Sequence, residues 1–198
     1  MDLKNFFALF FPSQRLNQSL RILIMANTAM VFVLGMLTPF YAIFVQKIGG
    51  DIAFAGLSWA VFLIVAGVLT LFFSRWQLKV KEQELLLALG YFFRGVVFLS
   101  YAFMTSIEQL ILTQIVWGIG TALGTPAFDN IYSQHTNQET SIMQWGEWEG
   151  MAAIATGLAA ITGGILISSF GYTPVFLGMS AVSFVLGIYI WRLPRQIL

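Results

Sequence analysis

Gly35-Met36-Leu37-Thr38-Pro39-Phe40-Tyr41 sits inside an apolar window that runs from 22 to 45. Proline has no backbone N–H to donate and would break a soluble helix at this point. A membrane helix tolerates it where neighbouring groups satisfy the freed carbonyl. The stretch is echoed by Gly124-Thr125-Pro126-Ala127-Phe128, late in a second window, 109–132. Four further windows lie at 52–73, 85–104, 142–168 and 173–192. Each supplies the roughly 20 residues needed to cross about 30 Å of hydrocarbon. None alternates apolar and polar residues with a period of two, so helices are expected rather than a membrane barrel.

The windows therefore predict an all-α membrane protein of six transmembrane helices. Spans 1–3 and 4–6 have matching lengths, and each triplet opens with a span carrying a Thr-Pro step. Three is odd, so the second triplet enters from the opposite side. That is the layout of two inverted three-helix repeats, in which interrupted helices flank a pathway. The expected organisation is an interfacial segment at 1–21, a transmembrane domain at 22–193 with repeats 22–104 and 109–193, and a cytoplasmic tail at 194–198. The apolar run Phe6 to Phe11 is too short for the core of a signal peptide.

Composition agrees. The chain has 198 residues, 58% of them hydrophobic and only 10% charged, against about 25% charged in soluble domains. Ten basic residues against nine acidic ones give a formal charge of +1, which argues against nucleic acid as a partner. There is no cysteine and one histidine, His135, so no thiolate or His-rich metal centre and no cofactor is expected. Gly-x-Ser-x-Gly and His-Glu-x-x-His are both absent, so the chain does not read as an enzyme. Lys4, Arg15, Arg21, Arg75, Lys79, Lys81, Arg192 and Arg195 fall on one side and Lys47 on the other. The positive-inside rule then places both termini in the cytoplasm of a multi-pass cell-membrane protein.

Further motifs resemble the major facilitator superfamily, specifically a single six-helix amino-terminal half. Gln114-Ile115-Val116-Trp117-Gly118-Ile119-Gly120 is similar to the family's Arg-x-x-x-Gly-x-Gly element on helix 4. Pro126-Ala127, Gly163-Gly164 and Phe170-Gly171-Tyr172-Thr173-Pro174-Val175-Phe176 match further family positions, as do Gly35, Pro39 and Tyr41 on span 1. Departures are equally clear. The basic loop element between helices 2 and 3 has Thr70 and Ser74 in place of its Gly and Asp. The helix 4 arginine is Gln114, and the antiporters' Gly-Pro is Ala159-Ala160.

The resemblance implies secondary transport of a small solute by alternating access. A second copy inserted the same way up would supply the other half, giving a parallel C2 dimer and a homodimeric half-transporter. The alternative is a scaffold or receptor that keeps the fold without transport, which the degenerate loop element favours. Besides the second copy and the solute, membrane lipid is the expected partner.

By the same resemblance, helices 1 and 4 would line the pathway. The candidates there are Asn27, Thr38 and Tyr41 on span 1, with Gln114, Thr121, Thr125 and Tyr132 on span 4. Arg94, Asp129, Glu147 and Glu149 are charges inside spans, which cost at least about 2.5–3.5 kcal/mol each near the bilayer centre. Glu149 shares a helical stripe with Ala152, Ala153, Thr156, Ala160 and Gly163, so it is expected to be buried. Glu147, on the other face, is expected near the inner rim. Arg94 and Glu149 lie at similar depth, about 12–15 Å from the inner face. They form the expected pair, with Asp129 as the alternative partner for Arg94; the pair's role is a static ion pair that fixes the fold or, as the functional reading, a gating or proton-linked pair. Family position suggests that Asp129 meets Arg75 in the inner loop. His135 is expected in a solvated loop, and Trp145 and Trp148 in an interfacial belt.

Overall fold

The computed structural model of the chain describes residues 16–194 and residue 197. The Phe6–Phe11 segment, Lys4, Arg15 and Arg195 lie outside the described residues. The first span is built from α1 (Gln18–Gly35), a 3-10 turn (Thr38–Phe40) and α2 (Tyr41–Lys47). The others are α3 (Ile52–Gln77), α4 (Gln83–Phe103), α5 (Ile107–His135), α6 (Ser141–Phe170) and α7 (Tyr172–Arg192). These six spans are all long and apolar enough to cross a membrane. No strand occurs among the described residues. The chain is thus a multi-pass membrane protein.

Local chemistry fixes the boundaries. Asn17 caps α1 by accepting the Leu20 N–H at 2.8 Å, and Asp51 caps α3 by accepting that of Phe54 at 2.6 Å. α6 passes directly into α7 at Gly171, whose φ of 79° suits glycine best.

The two Thr-Pro steps behave differently. Pro39 cannot donate to the Gly35 carbonyl, and α1 ends there in a 3-10 turn. Beyond the break the Phe40 carbonyl accepts the Tyr172 hydroxyl at 3.2 Å. Pro126 equally withdraws a donor from the Ala122 carbonyl, yet α5 runs unbroken through it. The Gln77 side chain at the end of α3 donates its Nε2–H to that carbonyl at 2.9 Å. A side chain thus restores the bond that proline removes.

Packing follows the repeat. The first span of each triplet packs on the second span of the other: α1 on α6, and α5 on α3. α4 packs along both α5 and α7. The helices cross on small residues, as membrane helices do without a hydrophobic driving force. A Cβ on Gly35 would lie 2.9 Å from that of Ala159, one on Gly118 would lie 2.7 Å from Val65 Cγ1, and one on Gly163 would strike the Met36 backbone. Two cores result. One gathers Phe44, Phe98, Tyr101, Trp117 and Phe176 towards the α2–α3 end. The other gathers Leu20, Ile24, Leu87, Phe128 and Tyr132 towards the end where α1 begins. Along α4, Arg94 falls between them.

Gly163→Ala should therefore lower the unfolding midpoint in detergent, at a cost of about 1–3 kcal/mol for overpacking against backbone. Gly157→Ala, on the same helix with open space at its Cβ position, should leave the midpoint unchanged. Equal effects from the two would contradict this packing.

Candidate functional site

Three of the candidates meet at mid-membrane. Asn27 on α1, Arg94 on α4 and Thr125 on α5 line one cavity of about 150 Å³, walled by Val31, Leu34 and Phe128 among others. Arg94 lies about 16 Å along α4. It is only 8% exposed, and its Nε has no hydrogen-bond partner among the described residues. Its Cζ is 5.8 Å from the centroid of the Tyr91 ring. The Tyr91 hydroxyl donates to Asn27 Oδ1 at 3.0 Å. The Gly90–Gly124 contact brings α4 and α5 together beside this cavity: a Cβ on Gly90 would lie 2.8 Å from Gly124 Cα.

The expected Arg94–Glu149 pair is not formed. Glu149 is exposed on α6, and the charge it faces is Asp129. The buried face of α6 is Gln144, Trp148, Ala155, Ala159 and Gly163, about 90° around the helix from the stripe that carries Glu149. Glu147 is half-buried, within electrostatic reach of Tyr132. Arg75 is exposed in the last turn of α3, and no ion pair joins it to Asp129 among the described residues. Arg94 likewise faces no carboxylate there; its electrostatic neighbour is Tyr91.

Other candidates tie helices together. Tyr41 and Gln114 are buried and bonded to each other, and the Tyr41 hydroxyl also lies 2.7 Å from Ser58 Oγ. That network joins α2, α3 and α5 inside an aromatic shell that includes Trp59, whose ring centroid is 5.2 Å from that of Tyr41. Tyr132 is fully buried and donates to the Gln144 carbonyl of α6. Thr38 is exposed and bonds back to the Leu34 carbonyl at 3.0 Å. Thr121 Oγ1 is buried with no partner among the described residues. His135 is the last residue of α5, not a loop residue, and its Nδ1 lies 2.8 Å from the Ile131 carbonyl. Trp148 is buried against Phe128, with ring centroids 5.0 Å apart, instead of lying in an interfacial belt.

Two contributors escaped the sequence reading. Tyr91 carried a signal: it lies three residues before Arg94, on the same helical face. Gln77 also carried one, since a proline inside α5 demands a donor for the Ala122 carbonyl. A larger groove of about 640 Å³ opens between α1, α6 and α7. Its lining is almost wholly apolar, including Met25, Phe32, Leu158 and Val182, so it offers dispersion contacts but no charge.

The chain is thus a six-helix membrane unit whose first span is interrupted at Pro39 and whose first, third and fourth spans enclose a small cavity. The Major Facilitator Superfamily profile matches residues 23–197. The chain belongs to that family, whose members are transporters rather than enzymes. No curated protein matches the chain.

Gln77→Leu should leave the Ala122 carbonyl unsatisfied and cost about 1–3 kcal/mol. In a Pro126→Ala background, where the backbone donor returns, the same substitution should cost at least about 1 kcal/mol less. Thermal unfolding of the four variants checks this, and additive effects would contradict the assignment.

Proposed function

We propose that the chain is a secondary transporter that moves a small solute by alternating access. The observation that carries this reading is a polar face left open on the bundle. Thr125 is exposed and lines the Arg94 cavity, Asp129 stands one turn further along α5, and Glu149 faces Asp129 from α6. Two carboxylates on one exposed face of membrane helices are costly against lipid. They suit a water-filled route or a polar partner surface, so this face is the mouth of the pathway.

A transporter of this design needs a second six-helix unit to close the route. We assign that role to a second copy in the same orientation, forming a parallel C2 dimer. The one-sided distribution of basic residues fits that arrangement and, by the positive-inside rule, places both termini in the cytoplasm of the cell membrane. Asp129 and Glu149 are the coupling acids of this proposal.

Proteoliposomes loaded with candidate solutes should show flux that responds to an imposed proton gradient, and Glu149→Gln should remove that response. Flux absent under every ion gradient would favour the non-transporting scaffold. The natural chain has no cysteine, so single cysteines introduced at Gly67 of α3 and Gly157 of α6 report on the dimer directly. Both positions are exposed with open space around them. Mixed in one native membrane, the two variants should crosslink to each other. A strictly monomeric protein there would contradict the dimer.

A further inference from the structure

We propose that the cavity between α1, α4 and α5 is a binding site for a small monovalent carboxylate, with the Arg94 guanidinium as its anchor. As the solute site of a transporter this rests on the reading above; as a binding site it stands alone.

The argument begins with an unbalanced charge. Arg94 is more than nine-tenths buried near the middle of a membrane helix, and its Nε has no partner among the described residues. A buried charge of this kind is retained where something pairs with it. The Tyr91 ring at 5.8 Å offers its π face but no counter-charge. No carboxylate lines the cavity among the described residues.

Each polar group of the lining can donate a hydrogen bond. Arg94 is a donor-only fork suited to a carboxylate. The Asn27 oxygen already accepts from the Tyr91 hydroxyl, and its amide N–H groups remain to donate to a ligand. Thr125 adds a hydroxyl with no bond to the protein among the described residues. A single cation fits a single negative charge. The remaining walls, Val31, Leu34 and Phe128 among them, are apolar and suit a short alkyl chain. At about 150 Å³ the cavity has the volume of roughly five waters, which suits acetate or propionate. The Gly90–Gly124 contact builds the wall beside the cation: a Cβ on Gly124 would lie 3.8 Å from Arg94 Nη1 and 3.0 Å from Gly90 Cα.

The same guanidinium would take the phosphate of an anionic lipid headgroup, so the test separates the two sources. The full chain is placed in phosphatidylcholine nanodiscs, and its unfolding midpoint is followed against propionate, acetate and chloride at constant ionic strength. Propionate and acetate should raise the midpoint saturably, chloride much less. Arg94→Gln should weaken the apparent affinity at least tenfold. Should Arg94→Gln fail to fold, Val31→Phe keeps the cation and fills the cavity, and it should abolish the shift; Thr125→Val should weaken it severalfold. A wild-type midpoint unmoved by all three anions overturns the carboxylate site, as does a shift equal in wild type and Val31→Phe. In phosphatidylglycerol nanodiscs the propionate shift should persist. Its loss there, with phosphatidylglycerol retained by the wild type and not by Arg94→Gln in native mass spectrometry, assigns the site to lipid and overturns the solute reading. Binding without flux would sink the transporter reading and leave this site standing.

Discussion

The contact between Gly90 and Gly124 is the constraint on which the rest of the site depends. Without side chains at these positions, the backbones of α4 and α5 meet directly. Arg94 lies one turn beyond Gly90 on the same face, and Thr125 follows Gly124. The crossing therefore carries a guanidinium into the bundle and sets a hydroxyl near it. A charge at that depth is costly, at least about 2.5–3.5 kcal/mol on insertion scales. A cation–π contact returns only about 0.5–2 kcal/mol. The imbalance is located where α1, α4 and α5 leave a cavity, and this is what gives the cavity its chemical character.

Around that centre, the polar side chains divide by what they bond. Gln77 supplies a donor to the carbonyl that Pro126 frees. Tyr41, Gln114 and Ser58 bind three spans together at one end of the bundle. Tyr132 holds α5 to α6 at the other. In hydrocarbon there is no water to satisfy such groups, so each must find protein. Partners used for structure leave little capacity for a solute. Arg94, by contrast, keeps unused capacity in the middle of the bundle, and Asp129 and Glu149 lie at its open face.

Much of the fold was legible because hydrophobic length is a direct physical requirement of the bilayer. The six windows fall within four residues of the observed spans at each end, and the Thr-Pro steps marked two of the three spans that line the cavity. Side-chain pairing was less legible. Depth along a helix follows from residue number, but rotation about its axis depends on the neighbour. Ala152, Ala153, Thr156, Ala160 and Gly163 read as a packing stripe that would bury Glu149. The face that packs is centred on Trp148, Ala155 and Ala159, with the Trp148 ring against Phe128. Likewise Gln114 and Tyr41 were each read as pathway residues, since nothing in the linear order shows that they bond each other.

Alternating access, as proposed, requires the cavity beside Arg94 to be reached in turn from both sides of the membrane. Because the natural chain lacks cysteine, Thr125→Cys in sealed, oriented vesicles measures this directly with a membrane-impermeant thiol reagent. Modification should occur from either side, each slowed when the cavity is occupied. Modification from one side alone under every ion gradient, or from neither, would contradict it.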